Sequence, residues 1–309
     1  MDKILVIKLG ALGDFIQAMG PMKAIRAHHK NAHITLLTTA PFEGFAKDCG
    51  YFDEVWVNQR PKWHDIRGWL GLRKRLNDGS FARVYDLQNN DRSSFYFRLF
   101  SPKPEWVGVA KGASHRNISP ARTAGHAFDG HVQTLGLAGI QDIEIDRLDW
   151  IAADISTFAL KPPYVLIVPG SAPDNPGKRW PAQHYADLCV KLALRGFQPV
   201  ILGTAVEADI AALIESQCPQ ALNLAGKTNL KQIIALARDA ALAIGNDTGP
   251  MHMIAPTGCP CISLFSGHSN PKRHYPKGED VEILYAADLQ DLAVERVLES
   301  ALSKVRGTI

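Results

Sequence analysis

Several ionisable side chains follow short apolar runs closely enough to share one sheet edge. Residues 241–244 form an apolar run that reads as a buried strand, and Gly245-Asn246-Asp247 is turn chemistry. Asp247 or Thr248 then suits the N-cap of a helix carrying Met251, His252, Met253 and Ile254, with Pro250 in a first turn that does not need its N–H. Gly249 lets a ligand approach the backbone, and the free N–H groups and partial positive charge of such a helix start suit a phosphate. An ordinary capped helix would have the same pattern. Ser171, Lys178 and Glu207 also come just after predicted strands. A lysine in that position can neutralise a diphosphate, and a carboxylate can take the two hydroxyls of a ribose. Asp14 closes the turn Gly10-Ala11-Leu12-Gly13-Asp14 after an apolar strand at 3–9. There it lies at the sheet edge where ligands of open α/β sheets bind, or it caps the following helix.

The elements that must position these groups form two similar series. Strands are expected at 3–9, 33–38, 54–57, 82–87 and 106–109, with a helix over 15–28 whose apolar residues recur at three-residue steps. Lys161-Pro162-Pro163 ends a stiff link. Further strands are expected at 164–168, 198–202, 221–224, 241–244 and 261–265, with helices over 182–194 and 289–305. Near-continuous apolar strands alternating with helices imply parallel sheets covered on both faces. The expected class is α/β, with two Rossmann-like doubly wound domains facing a cleft: residues 1–155 and 156–285, with 286–309 as a terminal helix packing back on the first. The first turn lacks G-x-G-x-x-G, which disfavours a dinucleotide site.

Composition narrows the function classes. A chain of 309 residues with 46% hydrophobic and 21% charged residues is a globular protein, and a net charge of +3 gives no reason to expect nucleic acid. No apolar run approaches the roughly 18 residues a membrane span needs, and Lys8 and Asp14 make the start of the chain a strand rather than a leader. The five scattered cysteines suggest buried cytosolic thiols. Residues 60–75 are basic with interleaved tryptophans, and residues 106–128 contain Lys111, His115, Arg116, Arg122 and His126 but no acidic residue. Such runs are ordinarily solvated faces; here they also suit an anionic partner or a membrane interface.

Three landmarks carry a family resemblance. Lys3-Ile4-Leu5-Val6-Ile7-Lys8 with Gly10-Ala11-Leu12-Gly13-Asp14, and Pro169-Gly170-Ser171 with Lys178-Arg179-Trp180-Pro181, resemble the heptosyltransferases, glycosyltransferase family 9. Asp247-Thr248-Gly249-Pro250-Met251-His252 followed by Leu264-Phe265 resembles the most specific motif of that family, and Asp86-Leu87-Gln88 is similar to one of its strand ends. The resemblance implies a GT-B fold and inverting, metal-independent transfer, without a cofactor, of a heptose from ADP-heptose. The implied acceptor is an anionic lipopolysaccharide inner core at the inner face of the cytoplasmic membrane, with the enzyme cytoplasmic or peripheral to that membrane. It makes Asp14 the general base, with Lys178 also catalytic. Ser171, Lys178, Glu207, Asp247, Thr248, Gly249 and His252 would hold the donor; Gly13, Arg67, Arg116 and Arg122 are assigned to the acceptor. The proline-rich loop between Ser171 and Lys178 departs from the family pattern. The absence of a D-x-D triplet agrees with metal-free transfer. Rival readings are a 2-epimerase-like enzyme on the same plan, transfer to protein, and a binder without activity.

Overall fold

The computed structural model describes residues 1–171 and 175–305. The chain divides into two compact units, Met1–Asp146 and the residues from Arg147 onward, so the division falls before the Pro-rich link rather than near residue 155. In the first unit the strands are Lys3–Ile7 (β1), His33–Thr38 (β2), Glu54–Val57 (β3), Arg83–Asp86 (β4), Glu105–Gly108 (β5) and His115–Arg116 (β6). In the second they are Tyr164–Val168 (β7), Gln198–Ile201 (β8), Leu222–Asn223 (β9), Leu242–Asn246 (β10), Cys261–Phe265 (β11) and Val281–Tyr285 (β12). β7, β10 and β11 are buried at every position, which is why they read as unbroken apolar runs.

Each unit is one parallel sheet with helices between successive strands, except between β5 and β6. The order in the first is β3-β2-β1-β4-β5-β6, and in the second β12-β11-β10-β7-β8-β9. Read from its other edge, the second order is the same as the first. This is the doubly wound order, whose direction reverses between the first and fourth strands, and ligands bind beyond the carboxyl ends at that reversal. The reversals lie between β1 and β4 and between β7 and β10. Register aligns the ends that matter: Ile7 faces Asp86, and Gly245 faces Val168.

Three expectations differ from the structure. The helix expected over 15–28 is two helices, Leu12–Gln17 and Met19–His28, meeting at Ala18. Pro21 has no N–H to give to a carbonyl one turn back, so it sits in the first turn of a new helix. β12 was not expected because polar Asp280 and Glu282 flank its first residue and only Leu284 is buried. The terminal helix, Val294–Val305, was expected on the N-terminal domain. Its apolar face instead enters the second unit's core, with Val297, Leu298 and Ala301 packed in the cluster that contains Tyr185, Leu188 and Leu192 of helix Ala182–Ala193. All five cysteines are buried free thiols.

Gly245 shows how closely the second reversal is packed. A Cβ there would lie 2.7 Å from Val168 Cβ, 2.8 Å from Val168 O and 2.9 Å from Met251 Sδ. Gly245→Ala must push β7 and helix Gly249–Ile254 apart, so a urea titration should show a loss of about 1–3 kcal/mol. Unchanged stability would mean that this contact relaxes without cost.

Candidate active site

In the second unit, the predicted ligand groups lie beyond adjacent strands. Ser171 follows β7, Glu207 follows β8, and Asp247, Thr248, Gly249 and His252 follow β10. Lys178 lies on a short 3-10 turn, Pro176–Lys178, ahead of helix Ala182–Ala193. Its Nζ donates to Asp247 Oδ2 at 2.8 Å, and the same oxygen accepts the Ser269 hydroxyl at 2.6 Å. His252 Nε2 lies 4.0 Å from Asp247 Oδ1. Both Asp247 and His252 are largely buried, whereas Lys178 keeps part of its side chain open to solvent. A carboxylate opposes a diphosphate; held this way, Asp247 fixes the ammonium of Lys178 at the strand ends, where an incoming anion can use it.

Ser171 is buried and accepts a hydrogen bond from Arg179 Nε at 3.0 Å. Thr248 is the N-cap of helix Gly249–Ile254 in extended conformation, and its side chain does not cap. Glu207 is buried and belongs to a capping box: its Oε2 accepts from Thr204 N at 2.7 Å and Thr204 Oγ1 at 2.8 Å. Its other oxygen lies beside Gly170, where a Cβ would come within 2.8 Å of it, so the glycine leaves room for the carboxylate. Residues 172–174, part of the proline-rich loop, lie outside the described residues.

Three participants on this edge were not anticipated. Asn246 is fully buried; its Oδ1 accepts from Trp180 N at 3.1 Å and from the Tyr185 hydroxyl at 3.0 Å. Its Nδ2 donates to Pro169 O at 2.7 Å and Gly170 O at 3.3 Å, tying the end of β10 to the turn after β7. In the sequence Asn246 reads as a turn residue, whereas the strand runs through it. Ser269 carried no signal beyond being polar, and Arg179 stood only as a member of the landmark Lys178-Arg179-Trp180-Pro181.

In the first unit, Asp14 is half-buried in the first turn of helix Leu12–Gln17. The N-cap is Ala11, so Asp14 is not the cap, and its carboxylate has no hydrogen bond among the described residues. Gly13 beside it is buried. Two further charged groups adjoin this turn. Lys8 is buried with Nζ donating to Leu87 O at 3.1 Å. Burial lowers its pKa, against the opposing pull of Asp14 and Asp86. Asp86 is fully buried at the end of β4. Its Oδ1 accepts from Gln88 N at 3.1 Å and Asn89 N at 2.9 Å, while Oδ2 has no hydrogen bond within 3.5 Å among the described residues. Burial pushes its pKa up to about 6, against the pull of those N–H groups and of Lys8. Gln88 Oε1 then accepts the Leu9 N–H at 2.7 Å, so the β4 turn holds the backbone leading into Gly10–Asp14.

The three expected acceptor arginines are not one cluster. Arg67 is exposed on helix Ile66–Asp78 after β3, and Arg116 is exposed on β6 at the opposite sheet edge, with Nε donating to Val109 O at 3.2 Å. Arg122 lies on the short helix Ala121–Ala124. A cavity of about 770 Å³ opens at the ends of β2 and β3, lined in part by Asn58, Arg60, Lys62, His64 and Arg75. Its volume suits a small ligand, and its cations suit an anionic one.

Glycosyltransferase family 9 (heptosyltransferase) matches residues 69–301. Lipopolysaccharide heptosyltransferase 2 of Salmonella typhimurium is 31% identical over 96% of this chain and 97% of that protein. The chain belongs to glycosyltransferase family 9, the heptosyltransferases. Lipooligosaccharide heptosyltransferase 2 of Haemophilus influenzae is 32% identical over a shorter alignment, 47% of this chain and 39% of that protein. The structure of E. coli ADP-heptose LPS heptosyltransferase II superposes with a TM-score of 0.76 at 21% identity, covering 99% of each chain. The fold is therefore GT-B, and the chain is a glycosyltransferase of the heptosyltransferase kind.

Within this heptosyltransferase, Asp86 predicts a pH dependence of known sign. Its folded pKa, about 6, lies above the ordinary 3.8. Between those values the folded chain holds a proton that the unfolded chain has lost. The group's contribution is thus complete below 3.8 and is lost as pH rises through about 6. Relative to Asp86→Asn, the wild-type unfolding free energy from urea titrations should fall by about 2 kcal/mol between about pH 4 and about pH 7. A difference independent of pH would show that folding does not shift the Asp86 carboxyl.

Proposed function

We propose that the chain transfers a heptose from ADP-heptose to an anionic lipopolysaccharide inner-core acceptor, with inversion and without a metal ion. The observation that carries this reading is the Lys178–Asp247 pair, 2.8 Å apart beyond β7 and β10, on the motif residues that the family resemblance singles out. The donor's diphosphate lies against Lys178 and the start of helix Gly249–Ile254, while Ser171 and Arg179 shape the turn beside it. Glu207 keeps one carboxylate oxygen for the adenosine ribose. Asp247 orients Lys178 and, with His252, faces the sugar. The relative names that mention lipopolysaccharide and lipooligosaccharide support the acceptor class.

Transfer then proceeds in one displacement. The acceptor hydroxyl oxygen bonds to the anomeric carbon as the bond from that carbon to the diphosphate oxygen breaks. The hydroxyl proton goes to the Asp14 carboxylate, and ADP leaves with the bonding pair. Charge growing on the leaving diphosphate meets the ammonium of Lys178, a fixed cation that needs little reorganisation. The cavity lined by Arg60, Lys62, His64 and Arg75 holds an acidic group of the acceptor and replaces the dispersed set of Arg67, Arg116 and Arg122 as its main cationic contact. Such an acceptor is lipid-anchored, which places the enzyme at the inner face of the cytoplasmic membrane. No helix among the described residues is long and apolar enough to cross a membrane, so attachment would be peripheral.

Two substitutions separate the roles. Asp14→Asn keeps size and removes proton acceptance, so single-turnover rates should fall about 10²–10⁴-fold while calorimetric ADP-heptose affinity stays unchanged. Lys178→Ala should weaken both donor affinity and turnover, since the ammonium acts in ground and transition states alike. Near wild-type turnover in Asp14→Asn would leave the reaction without this base.

A further inference from the structure

Exposed apolar side chains are concentrated in one short stretch. Of the nine exposed large hydrophobics among the described residues, Trp63, Ile66 and Leu70, at 64%, 70% and 58% exposure, fall within residues 63–70. Trp63 stacks on Trp69 with ring centroids 5.4 Å apart, and Trp69 meets Phe95 edge-on at 5.1 Å. Ile66 and Leu70 stand one turn apart on helix Ile66–Asp78, whose buried side is Leu72 and Leu76. The arrangement is held in place. Trp69 Nε1 donates to Lys62 O at 2.9 Å, Arg92 donates to Pro61 O at 3.0 Å, and the Arg92 guanidinium lies 5.4 and 5.7 Å from the Trp63 and Trp69 rings. Exposure here is a built feature, since these bonds fix the loop while leaving the apolar side chains in solvent.

The charge around it has one sign. Residues 59–77 contain Arg60, Lys62, Arg67, Arg73, Lys74 and Arg75 against the single acid Asp65. Asp65 is engaged as the helix N-cap, accepting from Gly68 N at 2.8 Å. Lys74 pairs with Asp78 one turn on, whereas Arg67 and Arg73 are exposed and carry no ion pair among the described residues. An apolar centre containing tryptophan, bordered by unpaired cations on a partly amphipathic helix, matches a bilayer interface with anionic headgroups.

We propose that Trp63, Ile66 and Leu70, with the surrounding Lys and Arg residues, form the surface by which this chain docks on an anionic phospholipid bilayer. The patch borders the cationic cavity, which is lined by Lys62, His64, Asp65 and Gly68 from the same loop and helix. Docking there presents the cavity to lipid-anchored molecules in the same leaflet. This use of the surface rests on the acceptor reading given above, but the binding itself does not.

The test uses the full chain and sedimentation with vesicles. Vesicles of phosphatidylethanolamine with phosphatidylglycerol should carry the protein down and pure phosphatidylcholine vesicles should not, with binding weakened by added salt. The triple variant Trp63→Ser/Ile66→Ser/Leu70→Ser should lose at least about tenfold in vesicle affinity. The double variant Arg73→Glu/Lys74→Glu should lose the salt-sensitive part of binding. All five side chains are exposed, so circular dichroism should match the wild type. With a deacylated, water-soluble acceptor, turnover by the triple variant should be unchanged. Wild-type protein left in the supernatant with phosphatidylglycerol vesicles, or a triple variant that sediments like wild type, would overturn the proposal. So would loss of turnover on the soluble acceptor, which would make the patch part of the acceptor site. Failure of transfer by the wild type with intact vesicle binding would count against the functional reading alone.

Discussion

Asn246 has its side-chain amide fully used at the point where the second unit builds its site. Its carbonyl oxygen takes the Trp180 N–H and the Tyr185 hydroxyl, and its NH₂ group holds Pro169 O and Gly170 O. The end of β10, the turn after β7 and the approach to helix Ala182–Ala193 thus meet at one buried side chain. In a low-dielectric interior each of these partners would cost about 1–3 kcal/mol if left unpaired, so the three segments are positioned together or not at all. Lys178 and Asp247 lie immediately beyond two of these anchored segments, and their 2.8 Å contact follows from that arrangement. Close packing at Gly245 sets the strand separation from the other side.

The first unit solves the same problem with charge. Asp86 and Lys8 are both buried beside the turn that carries Asp14, and both pKa values are pushed toward the neutral form by burial. Two backbone N–H groups on Asp86 Oδ1 and one carbonyl on Lys8 Nζ offset part of that cost. The result is a rigid wall of polar groups behind a carboxylate that itself has no hydrogen bond among the described residues. A base must be held in place without being neutralised by a close partner, and the Asp14 turn meets both requirements.

Much of this was legible in the sequence because the parallel strands are buried on both faces. The apolar runs at β2, β3, β7 and β11 give those strands their observed limits, and the residues just beyond them are the ones that gather at the sheet edges. Legibility ended where tertiary partners decide. Asn246 looks like a turn residue, since nothing local shows that Trp180 and Gly170 will claim its amide. Asp86 and Lys8 are 78 positions apart in sequence and become neighbours only through the pairing of β1 with β4. In the same way, nothing local shows that strand order sends the elements of Arg67 and Arg116 to opposite sheet edges. The terminal helix was expected on the first domain from the doubled strand–helix series, whereas its own apolar residues belong to the second unit's core.

The central claim is that the ends of β7 and β10 form the nucleotide site, with Lys178 held ready by Asp247. A crystal structure of the full chain soaked with ADP tests it most directly. The prediction is a diphosphate oxygen within hydrogen-bonding distance of Lys178 Nζ, with the nucleotide between the turn after β7 and the start of helix Gly249–Ile254, and with Asn246 still bonded to Pro169 and Trp180. ADP bound at another surface, or bound here while Lys178 makes no contact with its phosphates, would contradict it.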